Sequence, residues 1–364
     1  MKNTFISFTF GCRVNEAEKQ RLDQELLDAG FSWDETFPDF YIINSCAITG
    51  KAEREVRQHI YQIRKKYPQT KIIATGCSAT LWIKNKTLPI GADYWIDNTK
   101  KNTIPKLLKQ LVTPAFVPQK TRDYGEVNRD KFLTTGRVMI KIQDGCNRFC
   151  SYCIVPYTRG RATSKTIQEI ISEIKQIKTP IKELILTAIN TEYFGVDIGE
   201  KLTDLVDTIL AKTDVEKISF GSIHPWSITP EFLSWYAKNK DNPRFVHFFH
   251  IPIQSGATSI LEAMHRPYKK EKLLQHLQMI HKINPNALIA TDVIVGFPGE
   301  GEKEFEETYQ FLKKSPITKF HVFRYSPRPG TVAAKLKNEP TPQEKRERSK
   351  RLIELGKKKM KLTT

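Results

Sequence analysis

The chain has 364 residues, enough for two ordinary domains with cores of their own. Hydrophobic residues make up 39% and charged residues 27%, which excludes a disordered chain. No apolar run approaches the ~20 residues of a membrane-spanning helix, and the opening MKNTFISFTFGC is too short, and lacks the cleavage pattern, for a secretory signal. The net charge is +18, from 58 Lys and Arg against 40 Asp and Glu. A balance this basic points to a polyanionic partner, with nucleic acid the commonest and a merely basic soluble surface the competing reading. Six cysteines without an export signal indicate a reducing, cytoplasmic location and metal binding in place of disulfides.

Residues 1–112 alternate between strand and helix patterns, so a small parallel α/β domain is expected. Strands are expected over 5–10, 39–43, 71–74 and 92–96, and helices over 15–29, 51–66 and 104–111. Cys12, Cys46 and Cys77 each fall at the end of one of the first three strands. In an open parallel sheet those ends share one edge, where ligands bind, so the three thiols should converge although far apart in sequence. Singly, each cysteine reads as core filler; together they favour a three-thiolate cluster site. Gly11 and Gly76 would let backbone approach a bulky group without a Cβ clash. Asn15 and Asn44 either donate to cluster sulfurs or serve as ordinary turn formers.

The stretch 113–135 carries Pro114, Pro118 and mixed charge with little periodicity, and reads as a linker. From 136 to 335 six strand–helix units follow, with strands expected over 138–142, 183–189, 217–222, 245–251, 288–295 and 319–325. Six such units fit a partial (β/α)6 barrel with its chemistry at the carboxyl ends of the strands. Directly after the first strand comes KIQDGCNRFCSYCIVPYTRGR, which places Cys146, Cys150 and Cys153 in a C-x3-C-x2-C run. Three thiolates from one short loop can hold one face of a cubane iron–sulfur cluster and leave one iron open to a small molecule. Zinc is the alternative, but a structural zinc site closes at four ligands and no cysteine follows Cys153. Polar groups at other strand ends, Asn190 in LTAIN, Ser222 in GSIHP and Gln254 in HIPIQSG, are candidates for ligand contacts, with ordinary βα turns as the plain reading. Residues 336–364 form a polar, helical, basic tail: from Glu344 to Thr364 there are nine Lys or Arg against three Glu, or +6. A phosphate-contacting tail and a solvated helix face are both open readings.

The C-x3-C-x2-C loop, with Tyr152 at the aromatic position before its third cysteine, resembles that of the radical S-adenosylmethionine (SAM) superfamily. GCRVNEAE, INSCAIT and ATGC before it, and HIPIQSG, MHRPY, TDVIVGFPGE and FRYSPRPGTVAA after it, narrow the resemblance to the radical SAM methylthiotransferases over nearly the whole chain. GC-R-V-N and IQDGC are most similar to the subgroup that modifies N6-threonylcarbamoyladenosine (t6A) beside the tRNA anticodon. Other members act on isopentenyladenosine in tRNA or on an aspartate of a ribosomal protein. The resemblance implies two 4Fe–4S clusters, one on Cys146, Cys150 and Cys153 that works with SAM, and an auxiliary one on Cys12, Cys46 and Cys77. It further implies SAM contacts from Tyr152, Asn190, Ser222 and Gln254, a tRNA partner with its target base splayed out, and a flavodoxin- or ferredoxin-like electron donor. The family usually continues into a small TRAM domain that grips tRNA, and this sequence ends before one. It also departs from the family pattern at Ala188, Thr191, Gly221 and His224.

Overall fold

The computed structural model describes residues 3–112 and 136–361. The expected linker at 113–135 lies outside the described residues. Two compact units result, one from Met1–Lys141 with Ile154–Gly160, the other from Ile142–Cys153 with Arg161–Thr364.

The first unit is built on strands β1 (Thr4–Thr9), β2 (Ser32–Trp33), β3 (Phe40–Ser45), β4 (Lys71–Gly76) and β5 (Tyr94–Trp95). They lie in the order β2-β1-β3-β4-β5 and pair in parallel. Helices α1 (Arg13–Asp28), α2 (Gly50–Lys66), α3 (Cys77–Asn85) and α4 (Ile104–Leu111) cover both faces. Successive strand side chains point to opposite faces, so the apolar runs of the central strands feed two cores. Phe40, Ile42 and Ile73 pack with Leu22, Leu26, Ile104 and Leu108 on one side. Tyr41, Ile43, Ile72 and Ala74 pack with Val56, Ile60, Ile63 and Trp82 on the other. Each such aliphatic side chain contributes roughly 1.5–3 kcal/mol on burial.

Neither β2 nor α3 was expected. The two-residue β2 is too short to show an alternation. Helix α3 hides its period because Cys77 through Trp82 are all buried, leaving no polar face. Cys77 is therefore the first residue of a helix, one step past the strand.

The second unit begins within β6 (Arg137–Asp144). Next come α5 (Val155–Arg159), which folds with the first unit, and β7 (Thr163–Ser164), a short strand antiparallel to β6. Then β8 (Glu183–Ala188), β9 (Ile218–Phe220), β10 (Phe248–His250), β11 (Leu288–Val295) and β12 (Lys319–Arg324) alternate with α6 (Ile167–Gln176), α7 (Leu202–Lys212), α8 (Pro230–Asn239), α9 (Thr258–Ala263), α10 (Lys270–Ile283) and α11 (Glu302–Lys314). The sheets β7-β6-β8-β9 and β10-β11-β12 are joined where Ile218 N–H donates to Arg244 O (2.7 Å) and Val246 N–H to Ile218 O (2.9 Å). Six strands thus follow one another in chain order, the arc of a partial (β/α)6 barrel. Strands β9 and β10 are shorter than the sequence suggested: β9 pairs with β8 over Ile218–Phe220 and β10 with β11 over Phe248–His250.

The tail forms α12 (Pro342–Lys361), packed on β12 so closely that a Cβ on Gly356 would lie 3.1 Å from the Phe320 ring. Much of its charge is paired within the protein. Lys345 pairs with Glu339, Arg348 with Glu300 (3.0 Å) and Arg351 with Glu302 and Glu306 (both 2.8 Å). Lys359 Nζ donates to Leu312 O (2.6 Å) and Ser315 O (2.5 Å), closing the carboxyl end of α11. These four cations of the helix are held by the protein itself.

Candidate metal centres

The first centre grows from the sheet register. Thr9 is level with Asn44, and Ser45 with Gly76, so the chain leaves β1, β3 and β4 at one edge and there presents Cys12, Cys46 and Cys77. Cys12 precedes α1, and Cys77 opens α3. Cys46 and Cys77 are buried and Cys12 is half-buried. Cys46 feels both Cys12 and Cys77 electrostatically, and Cys12 feels Cys77. Burial pushes the Cys46 thiol up to about 12 and also raises Cys12, the latter opposed chiefly by the Arg159 guanidinium. Thiols so placed bind metal by releasing their protons.

The approach is tight. Gly11 has φ +98°, and a Cβ there would stand 2.5 Å from Cys46 Sγ; Gly76 has φ +95°, and a Cβ would strike Ser45 N at 2.5 Å. Asn15 and Asn44 aim their amides at backbone. Asn15 Nδ2 donates to Phe10 O (2.7 Å) and Ser45 O (3.2 Å), and Asn44 Nδ2 to Asn15 O (3.0 Å). They brace the loops that carry the cysteines, while the backbone N–H groups of Asn15 and Val14 face Cys12.

The second centre is the loop after β6. Gly145 (φ +69°) and Phe149 (φ +50°) both take left-handed backbone, a conformation that costs a residue with a side chain roughly 1–3 kcal/mol and persists only where surroundings enforce it. The enforcement is visible. Ser151 N–H donates to Met264 O (3.0 Å), its hydroxyl to Ala263 O (2.7 Å), and its carbonyl accepts from Ala333 N–H (2.7 Å). Cys146 Sγ accepts from Arg148 N–H (3.4 Å) and Asn190 Nδ2 (3.6 Å), and Cys153 N–H closes a turn on Cys150 O (2.9 Å).

Arg266 was missed in the sequence, though it stands in MHRPY. It is buried, with Nη1 4.0 Å from Cys150 Sγ and 3.5 Å from the Tyr152 hydroxyl, Nη2 donating to Pro252 O (2.5 Å), and its guanidinium 4.4 Å from the Trp226 ring centre. Its Nε donates to the nearby Tyr268 hydroxyl (3.2 Å), but its partners at Cys150, Tyr152, Trp226 and Pro252 are remote in sequence, so their convergence is not legible there.

The candidate ligand contacts fall as follows. Tyr152 packs edge-on to Phe297 in the small core around Met264 and Tyr325. Asn190 is buried, its amide shared between Cys146 Sγ and the Trp226 indole N–H (3.2 Å). Ser222 Oγ meets His250 Nδ1 (2.8 Å); His250 Nε2 faces Asp292 (2.9 Å), which also faces His321 Nδ1 (3.2 Å). Desolvation works to raise the Asp292 carboxyl, but hydrogen bonds from the two imidazoles outweigh it and hold the group at about 2. Gln254 adopts φ +70° and exchanges backbone bonds with Asp292 and Ile294 (both 2.9 Å). Two departures from the family pattern meet each other: Thr191 Oγ1 lies 3.4 Å from His224 Nδ1 and 3.2 Å from Ser227 Oγ. Burial, reinforced by Arg266, drives His224 down to about 3, so its ring is neutral and fit to share a hydroxyl. At Gly221 a Cβ would come within 3.1 Å of Thr187 Oγ1.

Residues 140–312 match the radical SAM superfamily model, and residues 4–88 the model of an uncharacterized protein family, UPF0004. The threonylcarbamoyladenosine tRNA methylthiotransferase MtaB of Aquifex aeolicus is 33% identical over 96% of this chain and 87% of its own length. Its Bacillus subtilis namesake is 33% identical over 97% and 80%. The tRNA-2-methylthio-N(6)-dimethylallyladenosine synthase of Bdellovibrio bacteriovorus is 31% identical over 97% and 80%. Among solved structures, the radical SAM methyltransferase TsrM of Kitasatospora setae superimposes with a TM-score of 0.64 over 92% of this chain and 74% of its own, at 13% identity, a likeness of fold. The fold and the C-x3-C-x2-C loop place the protein among radical SAM enzymes, whose cofactors are a 4Fe–4S cluster and SAM. Within them, the chain belongs to the methylthiotransferase family, which carries two clusters and transfers sulfur-containing groups. Both thiol trios fit that demand, each offering three soft donors in a pocket partly closed to water. Among the described residues no helix is long and apolar enough to cross a membrane.

Proposed function

We propose that the protein is a cytoplasmic tRNA methylthiotransferase that places a methylthio group on C2 of t6A beside the anticodon. The carrying observation is a family likeness spanning the chain, with MtaB relatives from three species at 33% identity. In this reading Cys146, Cys150 and Cys153 hold one 4Fe–4S cluster and Cys12, Cys46 and Cys77 the other. When bound, the clusters and SAM supply one-electron cleavage of SAM and delivery of methylated sulfur. The chain's own part is placement. Asn190 and the Arg148 backbone N–H orient Cys146, and Arg266 packs beside Cys150 and Tyr152. Asn190, Ser222, Gln254 and Tyr152 are assigned to SAM, with Ser222 oriented by His250. Electrons come from a small donor of the flavodoxin or ferredoxin kind.

Relatives named for dimethylallyladenosine lie at 31–32%, which keeps that base as the second reading. Mass spectrometry of tRNA nucleosides from a deletion strain separates the two. Loss of the methylthio derivative of t6A, restored by the gene, is the expected result. Loss of the isopentenyl derivative alone would transfer the role to the second reading. An unchanged nucleoside profile would turn the search to other substrates, a ribosomal protein aspartate first.

For tRNA contact, α12 offers Arg346, Lys350, Lys357 and Lys361, all exposed and spaced i, i+4, i+11, i+15, within one face of the helix, with Arg324 of β12 alongside. Lys350→Glu with Lys357→Glu should weaken tRNA binding and reduce its logarithmic salt slope by roughly 0.7–0.9 for each phosphate contact removed. An unchanged slope would return this stripe to solvent. Lys359, being tied to carbonyls of α11, is excluded from the stripe.

A further inference from the structure

Three strands of the second unit bring two imidazoles and a carboxylate together. In the parallel ladders His250 ends β10 level with Ala290, and His321 of β12 is level with Asp292 of β11. Residues level with one another, or two apart along a strand, share a face, so all three side chains leave the same side of the sheet. His250 Nε2 lies 2.9 Å and His321 Nδ1 3.2 Å from one oxygen, Asp292 Oδ1. The ligand atoms of the three residues all fall within 4.8 Å of one another, and the two rings stand 5.3 Å apart between centres.

The hydrogen bonds of His250 show what the arrangement calls for. The Ser222 hydroxyl donates to His250 O (3.3 Å), so its oxygen is left to accept from His250 Nδ1–H (2.8 Å). A neutral imidazole carries a single N–H. With that proton on Nδ1, Nε2 is a lone pair aimed at the Asp292 carboxylate. Two lone pairs 2.9 Å apart repel unless a cation lies between them, either a second proton or a metal ion. A proton serves one nitrogen–oxygen contact, whereas a metal serves all three donors. The spacing suits a metal: bonds of about 2.0–2.1 Å set neighbouring ligands about 2.8–3.4 Å apart in octahedral or tetrahedral coordination. Two histidines with one carboxylate are the donor set of open zinc and ferrous sites. Ser222 supplies the outer partner that fixes the ring of a ligating histidine. The side chains of His250, Asp292 and His321 are 13%, 25% and 40% exposed, which leaves room for water or a substrate oxygen as a further ligand.

We infer that His250, Asp292 and His321 form a mononuclear site for a divalent first-row metal ion, with Ser222 orienting His250. The site is separate from the two thiol centres in its donors and does not depend on which base the enzyme modifies. The test uses the full chain with its clusters reconstituted anaerobically, and zinc as the probe. Equilibrium dialysis should leave about one zinc per chain whose K-edge absorption shows nitrogen and oxygen at about 2.0–2.1 Å. Zinc on any vacant cysteine would show sulfur at about 2.3 Å instead and is not counted. Ser222→Ala should weaken zinc binding about 10–100-fold, and the loss of a ligand in Asp292→Asn or His321→Ala should weaken it more. His321 is partly exposed on the outermost strand β12, so its alanine variant decides the matter should Asp292→Asn fail to fold. A chain that takes up no zinc through nitrogen and oxygen overturns the inference, as does a His321→Ala chain with unaltered affinity. A shared proton then accounts for the trio.

Discussion

Replacing Cys46 by alanine is expected to lower the iron bound by the anaerobically reconstituted chain from about eight to about four atoms. It should also abolish methylthio transfer while SAM cleavage to 5′-deoxyadenosine continues. Cys46 is 3% exposed and electrostatically coupled to both Cys12 and Cys77, so the remaining pair keeps only two of three donors. Two thiolates from different loops do not retain a cubane, whereas the Cys146 loop is pinned by bonds from Ser151 and Asn190 that the substitution leaves intact. Alanine is smaller and apolar, so the site loses its metal chemistry at little cost in packing. Retention of about eight irons, or transfer at the wild-type rate, would remove Cys46 from the centre.

Gly11→Ala should produce the same loss of N-terminal iron without touching a sulfur. At φ +98° an alanine carries a backbone cost of roughly 1–3 kcal/mol, and its Cβ would sit 2.5 Å from Cys46 Sγ. Relief requires the Cys46 side chain or its loop to move, and Asn15 and the sheet register hold that loop in place. Gly30→Ala is the matched control. Its φ is +92°, but a Cβ there meets nothing within 4 Å, so it carries the backbone cost alone and keeps both clusters. Equal iron content in the two variants would show that the close approach at Gly11 has no bearing on metal binding.

The fold was legible where burial is two-sided. FYIINS in β3 and KIIATG in β4 are short apolar runs ended by turn residues, and the cysteines at their ends pointed to a shared edge because parallel strands finish on one side. The C-x3-C-x2-C loop was legible from spacing alone. Groups that act across the chain were not. Glu18 and Arg159 are 141 residues apart, and each reads locally as an ordinary surface charge. Arg266 lies in a recognisable motif, but its partners Pro252, Tyr152 and Trp226 come from three other segments. Thr191 and His224 stand 33 residues apart in the sequence, and only the fold makes their side chains neighbours. Counting lysines and arginines in the tail does not reveal which of them bind carboxylates and carbonyls.

Helix α5 has a consequence for any attempt to dissect the molecule. Ile154 packs with Ala47, Cys77 and Leu81, and Lys84 Nζ reaches Tyr157 O (2.6 Å), so the N-terminal unit is completed by seven residues encoded after the third cysteine of the SAM-type loop. No single cut in the gene releases that unit whole. A fragment ending at Lys141 would leave Glu18 without its guanidinium and Cys77 without one wall of its pocket, so transplanting this sulfur centre into another scaffold means moving two separate pieces of chain together.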